Sequence, residues 1–230
     1  MLEKLIQTLL RRKTPVVFQD LTRIHPVSGE FGFDRGKPID RYYIEKFLQK
    51  NSGLVQGRVL EIGGSHYSKL YGGPRVEKFE VLHATQDNPE ATIIGDLTNW
   101  RTLPENGIDC FICTQTFNFI YEVEKAAQGA YAVLKPGGTL LATMAGLCQI
   151  SHYDMDRWGD YWRFTTASAK QLFEGVFGEG VAIECYGNVL AATALLQGIA
   201  AEDLPNRALL DDRDPDYQVI IGVVARKSET

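Results

Sequence analysis

The sequence predicts an α/β protein built on a doubly wound, mostly parallel sheet, and three observations carry that prediction. Residues 58–62, RVLEI, are an apolar strand run that ends beside a carboxylate and opens onto two glycines, Gly63 and Gly64. Residues 107–145 read as strand, helix and strand in succession, the unit that parallel sheets repeat with a right-handed crossover. Short apolar runs then keep alternating with helical periods up to residue 225, as in sheets with helices on both faces.

The elements follow in chain order. Residues 1–13, MLEKLIQTLLRRK, set Leu2, Leu5, Ile6, Leu9 and Leu10 at helical spacing ahead of basic residues. A helix packed on the domain or on a partner protein is expected there, with a membrane-surface anchor as the alternative; the run is too broken for a signal peptide or a spanning helix. A helix over 39–50 starts after the Gly36 to Pro38 turn, with Asp40 capping and Tyr42, Tyr43 and Phe47 facing the core. In the first strand, Glu61 is a charge that a buried strand tolerates only with a partner. Gly63 and Gly64 reach backbone angles closed to other residues and leave room for a ligand against the main chain. A plain tight turn, with Glu61 bonded to a backbone amide, fits the same residues. A dinucleotide fingerprint needs glycine at the first, third and sixth loop positions, which here are Gly63, Ser65 and Ser68. The loop suits a nucleoside with a small tail rather than a pyrophosphate.

Strands are expected over 80–84 and 91–94, then over 108–113 with a polar exit from Thr114 to Asn118. Val123, Ala126, Ala127, Ala130 and Val133 form the apolar stripe of a helix over 121–134, which LKPGG at 134–138 ends. A fifth strand over 139–144, helices over 167–176 and 188–201, and strands over 181–186 and 218–225 complete the chain.

The 230 residues are 44% hydrophobic and 23% charged, enough to bury a large sheet core in one domain and short for two. A net charge of −5 argues against a nucleic-acid partner, whose phosphates require clustered Lys and Arg. Cys110 and Cys113 are spaced as a metal pair, but side chains three apart on a strand point to opposite faces, so no metal site is expected. Free thiols without a secretory segment indicate a reducing compartment, the cytoplasm.

With its glycine loop after the first strand and its KPGG turn before the fifth, the chain resembles the class I S-adenosylmethionine-dependent methyltransferases over roughly residues 56–146. It further resembles a bacterial group often associated with glycosyltransferases, through FGFDRGKPIDRYYIEKFL at 31–48, QISHYDMDRWGDYWRFT at 149–165 and YGNVLAATALLQGIAAEDL at 186–204. The resemblance implies a seven-stranded sheet of Rossmann-like methyltransferase type, with an antiparallel last strand. The expected organisation is one domain over 1–230: a helical cap at 1–55, a cofactor core at 56–146, an acceptor lid at 147–180, and the rest of the sheet at 181–230.

The implied donor is S-adenosylmethionine and the implied product S-adenosylhomocysteine. By position, Glu61 and Gly63 would lie against the methionine part, with Gly64 lining the same turn. Asp96 would meet the adenine amino group and Leu97 flank the ring, while Thr114 and Gln115 would leave the fourth strand beside the donor. Tyr43, with Arg35 and Arg41, would touch the donor carboxylate or the acceptor. Two departures stand out: the acid usual after the second strand is missing, leaving His83, Thr85 and, two residues on, Asp87, and the loop GGSHYS lacks a third glycine.

Residues 149–165 follow the fifth strand and are dense in polar and aromatic groups. Aromatic faces with interleaved acids suit a saccharide or other polyhydroxylated acceptor, and a neutral hydroxyl gains from a base. His152 is the first choice, because its ordinary pKa lies near neutrality, with Asp154 and Asp156 as substitutes. Alternatively Asp156, Arg157, Asp160 and Arg163 form ion pairs that tie the lid down. The expected activity is O-methylation of a saccharide or small hydroxylated metabolite. The rivals are a non-catalytic methyltransferase-like partner in a glycan-assembly complex and a nicotinamide-dependent oxidoreductase, against which the missing pyrophosphate fingerprint speaks.

Overall fold

The computed structural model describes residues 22–229, so the helix expected over 1–13 lies outside the described residues. Seven strands form one sheet: β1 (Gly57–Ile62), β2 (Val76–His83), β3 (Ile93–Ile94), β4 (Ile108–Thr114), β5 (Leu134–Ala145), β6 (Val181–Tyr186) and β7 (Ile220–Arg226). Their order is β3-β2-β1-β4-β5-β7-β6. The pairs among β1 to β5 are parallel, and β7 runs antiparallel between β5 and β6. The expected seven-stranded, mostly parallel sheet with an antiparallel last strand is the one observed. Order reverses between β1 and β4, and such a switch point opens a crevice at the carboxyl ends of the strands.

The helices are α1 (Ile39–Lys50), α2 (His66–Gly72), α3 (Val123–Val133), α4 (His152–Met155), α5 (Thr166–Phe177) and α6 (Val189–Leu196). They cover the sheet in two layers. On one face Leu60, Phe111, Cys113 and Leu140 pack with Ala126 and Ala130 of α3 and Phe173 and Phe177 of α5. On the other, Val59, Cys110, Ile112 and Leu141 pack with Tyr43 and Phe47 of α1, Tyr67 of α2 and Leu195 of α6. Period-two alternation along β4 thus sends Cys110 and Cys113 to opposite layers. Among the described residues no group of His, Cys, Asp or Glu could hold a metal ion. No described helix is long and apolar enough to cross a membrane.

Tyr43 departs from its expected role at the donor. Ile39, Tyr43, Ile44, Phe47 and Leu48 share the buried face of α1, and Tyr43 is 1% exposed with its ring 5.7 Å from Tyr186. Helical period places it in the core, where its ring packs against other buried side chains.

Other departures concern element ends. The KPGG turn does not precede β5 but opens it: Leu134 already pairs with Ile108, and the register shifts before Cys110. α2 forms where no apolar stripe announced a helix. α6 stops at Leu196 because Gly198, at φ 64°, lies against the Ser28 carbonyl, which a Cβ would meet at 2.1 Å. The strap before α1 is stitched to this corner by Val27 N–H to Gln197 O (2.8 Å), Ala201 N–H to Lys37 O (2.8 Å) and the Arg35–Asp203 ion pair (2.7 Å). Arg35 is therefore spent on structure.

Candidate active site

At the end of β1 the chain turns through Gly63, at φ 75°, and a Cβ placed on Gly63 or Gly64 would meet nothing within 4 Å. The turn is left-handed and open, so ligand atoms can approach its main chain. Glu61 does not face this space with free oxygens. One carboxylate oxygen accepts from Tyr67 N–H (3.0 Å) and the other from Ser68 N–H (2.8 Å). Those amides belong to the first turn of α2, where an acid is stabilising. Burial nevertheless raises the Glu61 pKa, with the two amide bonds opposing it. A buried acid thus builds the helix that walls the glycine turn.

β2 ends at His83, whose Nδ1 lies 3.2 Å from the Thr85 hydroxyl and 3.4 Å from an Asp87 oxygen; Thr85 also donates to Asp87. Asn88 donates to Gly63 O at 2.8 Å, joining this exit to the glycine turn. A hydroxyl and a carboxylate therefore stand beyond β2, where the usual acid is missing. Asp96 is exposed and accepts Thr98 N–H at 2.8 Å. Leu97, expected to flank an adenine, is 4% exposed and belongs to the core with Ala126 and Ala127. The turn after Asp96 directs it inward, where its carbonyl rests on Gly129 of α3. At the exit of β4, Gln115 has φ 48°, rare for a residue with a Cβ, held by its N–H to Thr143 O (2.8 Å) and its side chain to the Thr143 hydroxyl (3.2 Å). Thr114 is partly buried beside it.

The segment between β5 and α5 spans these exits. Trp158 sets its ring edge-on to His83 with centroids 5.8 Å apart, whereas Tyr161 and Trp162 N–H groups donate to Asn118 O beyond β4 (2.9 and 3.2 Å). Phe164 N–H returns to Ala145 O at 2.8 Å. Asp160 and Arg163 form the expected tie: a two-pronged ion pair (2.5 and 2.9 Å), extended by Ser151 N–H to Asp160 (3.1 Å) and Arg163 to Gln149 O (2.8 Å). Burial works against the Asp160 carboxylate, but the Arg163 and Ser151 bonds hold its pKa low. Arg157 instead stacks on Tyr153, 3.6 Å from the ring centroid, and among the described residues no ion pair includes Asp156. Of the expected bases, His152 is exposed on the short α4, and Asp154 accepts the Ser151 hydroxyl at 2.6 Å.

Sequence reasoning passed over Asp40 as anything but a cap. Its carboxylate accepts Arg41 N–H at 2.7 Å and otherwise sits in the electrostatic company of Arg41, Tyr67 and Cys148. Arg41 itself donates to the Tyr67 hydroxyl at 2.9 Å. The signal was available as an acid and a base adjacent in a helix start, but not their partners in α2 and after β5. Two surface concavities, of about 550 and 440 Å³, lie elsewhere, beside β6 and beside Trp100.

Comparison with known proteins bears directly on this arrangement. Residues 57–142 match the family model described as a methyltransferase domain. A SAM-dependent methyltransferase from Archaeoglobus fulgidus superposes with a TM-score of 0.54 at 13% identity, covering 81% of this chain and 94% of that one. Phosphoethanolamine N-methyltransferase 2 of Haemonchus contortus, solved with phosphomonomethylethanolamine and S-adenosylhomocysteine, gives 0.53 at 14% identity, covering 81% and 53%. The cyclase SpnF gives 0.53 at 18% identity, covering 90% and 89%. No curated protein matches the chain in sequence. The matched segment runs from β1 into β5 and holds both the open glycine turn and the β4 exit. Residues 57–142 are thus similar to a methyltransferase domain, and the sheet that carries them has the fold of the S-adenosylmethionine-dependent methyltransferase to which it is similar.

Proposed function

We propose that this protein methylates a hydroxyl oxygen of a saccharide or related small hydroxylated metabolite, in the cytoplasm of a bacterium and in the setting of glycan assembly. The observation that supports this most is the course of the segment after β5. It touches the end of β2 at His83 and the exit of β4 at Asn118, so it passes over the end of β1, where the glycine turn is open. A lid rich in acids and aromatic rings above a donor mouth suits a polyhydroxylated acceptor.

In this reading Gly63 and Gly64 admit the donor against the main chain. Glu61 shapes that turn, Thr85 and Asp87 hold ribose hydroxyls, and Asp96 meets the adenine. Thr114 and Gln115 line the reacting end, and His152 takes the acceptor's proton, with Asp154 and Asp156 as further choices. When bound, the donor supplies a methyl group on positively charged sulfur, already activated. What remains for the chain is alignment and exclusion of water. A non-catalytic partner role gains no support from the open turn.

The test is calorimetric titration with S-adenosylmethionine and S-adenosylhomocysteine, followed by transfer of labelled methyl to hydroxylated and amine acceptors. Binding of both ligands and label on oxygen is expected. Transfer to nitrogen alone would overturn the acceptor assignment, and no heat with either ligand would overturn the enzyme reading.

A further inference from the structure

We infer that residues 1–13 of this chain dock on the outer face of α6, and that the acidic stretch 201–217 attracts their basic end. The inference is independent of the methyltransferase reading. α6, VLAATALL, buries Ala191, Ala192, Ala194 and Leu195 in the layer that holds Tyr43 and Phe47. Its other face is no more polar. Val189, Thr193 and Leu196 recur there at helical spacing with Leu190 beside them, and Val189, Leu196 and Leu190 are 56%, 48% and 37% exposed. Thr193 donates its hydroxyl to Val189 O at 2.8 Å, so its proton is spent within the helix. A helix that is apolar all round belongs under cover.

The path of the chain names the occupant. Residues 22–28 enter at the carboxyl end of this same helix, where the Val27 and Ser28 N–H groups both donate to Gln197 O (2.8 and 3.1 Å). Residues 14–21 alone span up to roughly 26 Å, and α6 is about 12 Å long, so the segment ahead of them reaches every part of the face. In that segment Leu2, Leu5, Ile6, Leu9 and Leu10 stand at helical spacing, a stripe that fits an apolar helix face ridge into groove.

Charge separates this occupant from a lipid surface. Residues 1–13 carry Lys4, Arg11, Arg12 and Lys13 against a single acid, Glu3, whereas residues 201–217 hold six acids and two arginines. The acidic stretch borders both ends of α6. Past the carboxyl end Ala200 N–H donates to Asp203 (3.0 Å), and at the start Asn188 donates to Leu209 O and Asp212 O (both 2.8 Å). Among the described residues no ion pair includes Asp212, Asp214 or Asp216. Such a border repels an anionic membrane and attracts a basic segment. Exposed charge pairs contribute little each, so the apolar contact supplies the affinity and the charges select the partner.

Hydrogen exchange of the full chain, read by mass spectrometry, tests the docking. We expect the amides of residues 2–10 to be protected, and Val189→Ser combined with Leu196→Ser to speed their exchange roughly ten- to hundredfold, with unchanged circular dichroism. Leu5→Glu, which leaves α6 itself unaltered, should release residues 2–10 and speed exchange in α6 as well. Leu70→Ser, an exposed leucine of α2 outside the face, should change neither. Unprotected amides over residues 2–10 overturn the docking, as does protection that survives both the α6 changes and Leu5→Glu. Protection that rises with protein concentration would give the face to a second copy, and protection seen only with phosphatidylglycerol vesicles would give the segment to lipid; either result overturns it too.

Discussion

Asp40 occupies the first turn of α1, where unpaired amides favour the charged carboxylate, and yet burial pushes its pKa above the ordinary value, with Arg41 pulling the other way. An acid raised in the folded state costs stability as pH climbs past its unfolded value, and costs nothing well below it. Asp40→Asn should therefore raise the melting temperature at pH 7 and leave it unchanged near pH ~3. Thermal unfolding at the two pH values checks this, and equal melting at pH 7 would contradict it. The neighbours of Asp40 come from α1, α2 and the loop after β5, and no spacing along the chain brings them together. Glu61 shows what single residues reveal: its need for a partner was legible in an apolar strand, whereas the partner, the start of α2, was not. Tyr43 shows the opposite, since its helical phase was legible and already argued for the core.

Glu80 ties three strands together. It accepts from Arg58 of β1 (2.7 Å) and Lys78 of β2 (2.7 Å) and from Thr92 beside β3. Burial opposes its charge, but the bonds from Lys78, Thr92 and Arg58 prevail and hold its pKa at about 2. The stabilisation is present above the unfolded value near 4.5 and disappears as pH falls through about 2. Glu80→Gln should cost on the order of 2–3 kcal/mol at pH 7 and little at pH ~2, as denaturant titrations at both would show. In α3, a Cβ on Gly129 would meet Leu97 O at 2.0 Å. Gly129→Ala should displace the turn after Asp96, destabilise by roughly 1–3 kcal/mol and weaken S-adenosylhomocysteine binding. Unaltered affinity would separate that turn from the adenine. Strand and helix identities were legible because periods of two and 3.6 survive in short runs. Ends were not: α6 stops where Ser28 arrives, and β5 begins inside KPGG because Ile108 pairs with Leu134.

Across the whole molecule, the segment between β5 and α5 is tied down by a buried ion pair between Arg163 and Asp160. Arg163→Ala would leave the Asp160 carboxylate, 1% exposed at its side chain, without its cation, a loss of roughly 3–5 kcal/mol. Proteolysis within residues 150–162 should quicken, and wild-type rates would show that other contacts hold the segment. Donor bound at a hundred times its dissociation constant should add about 2.7 kcal/mol to folding, readable as a rise in melting temperature. The sequence by itself determined the sheet class, the first strand with its glycine turn and the chemical richness of residues 149–165, because alternation, glycine freedom and residue type are local properties. Only the tertiary structure decided that Glu61 serves α2, that Leu97 turns inward, and that Tyr121 joins Tyr161 and Trp162. Each of those depends on which surfaces meet when the layers pack, and no spacing along the chain records that.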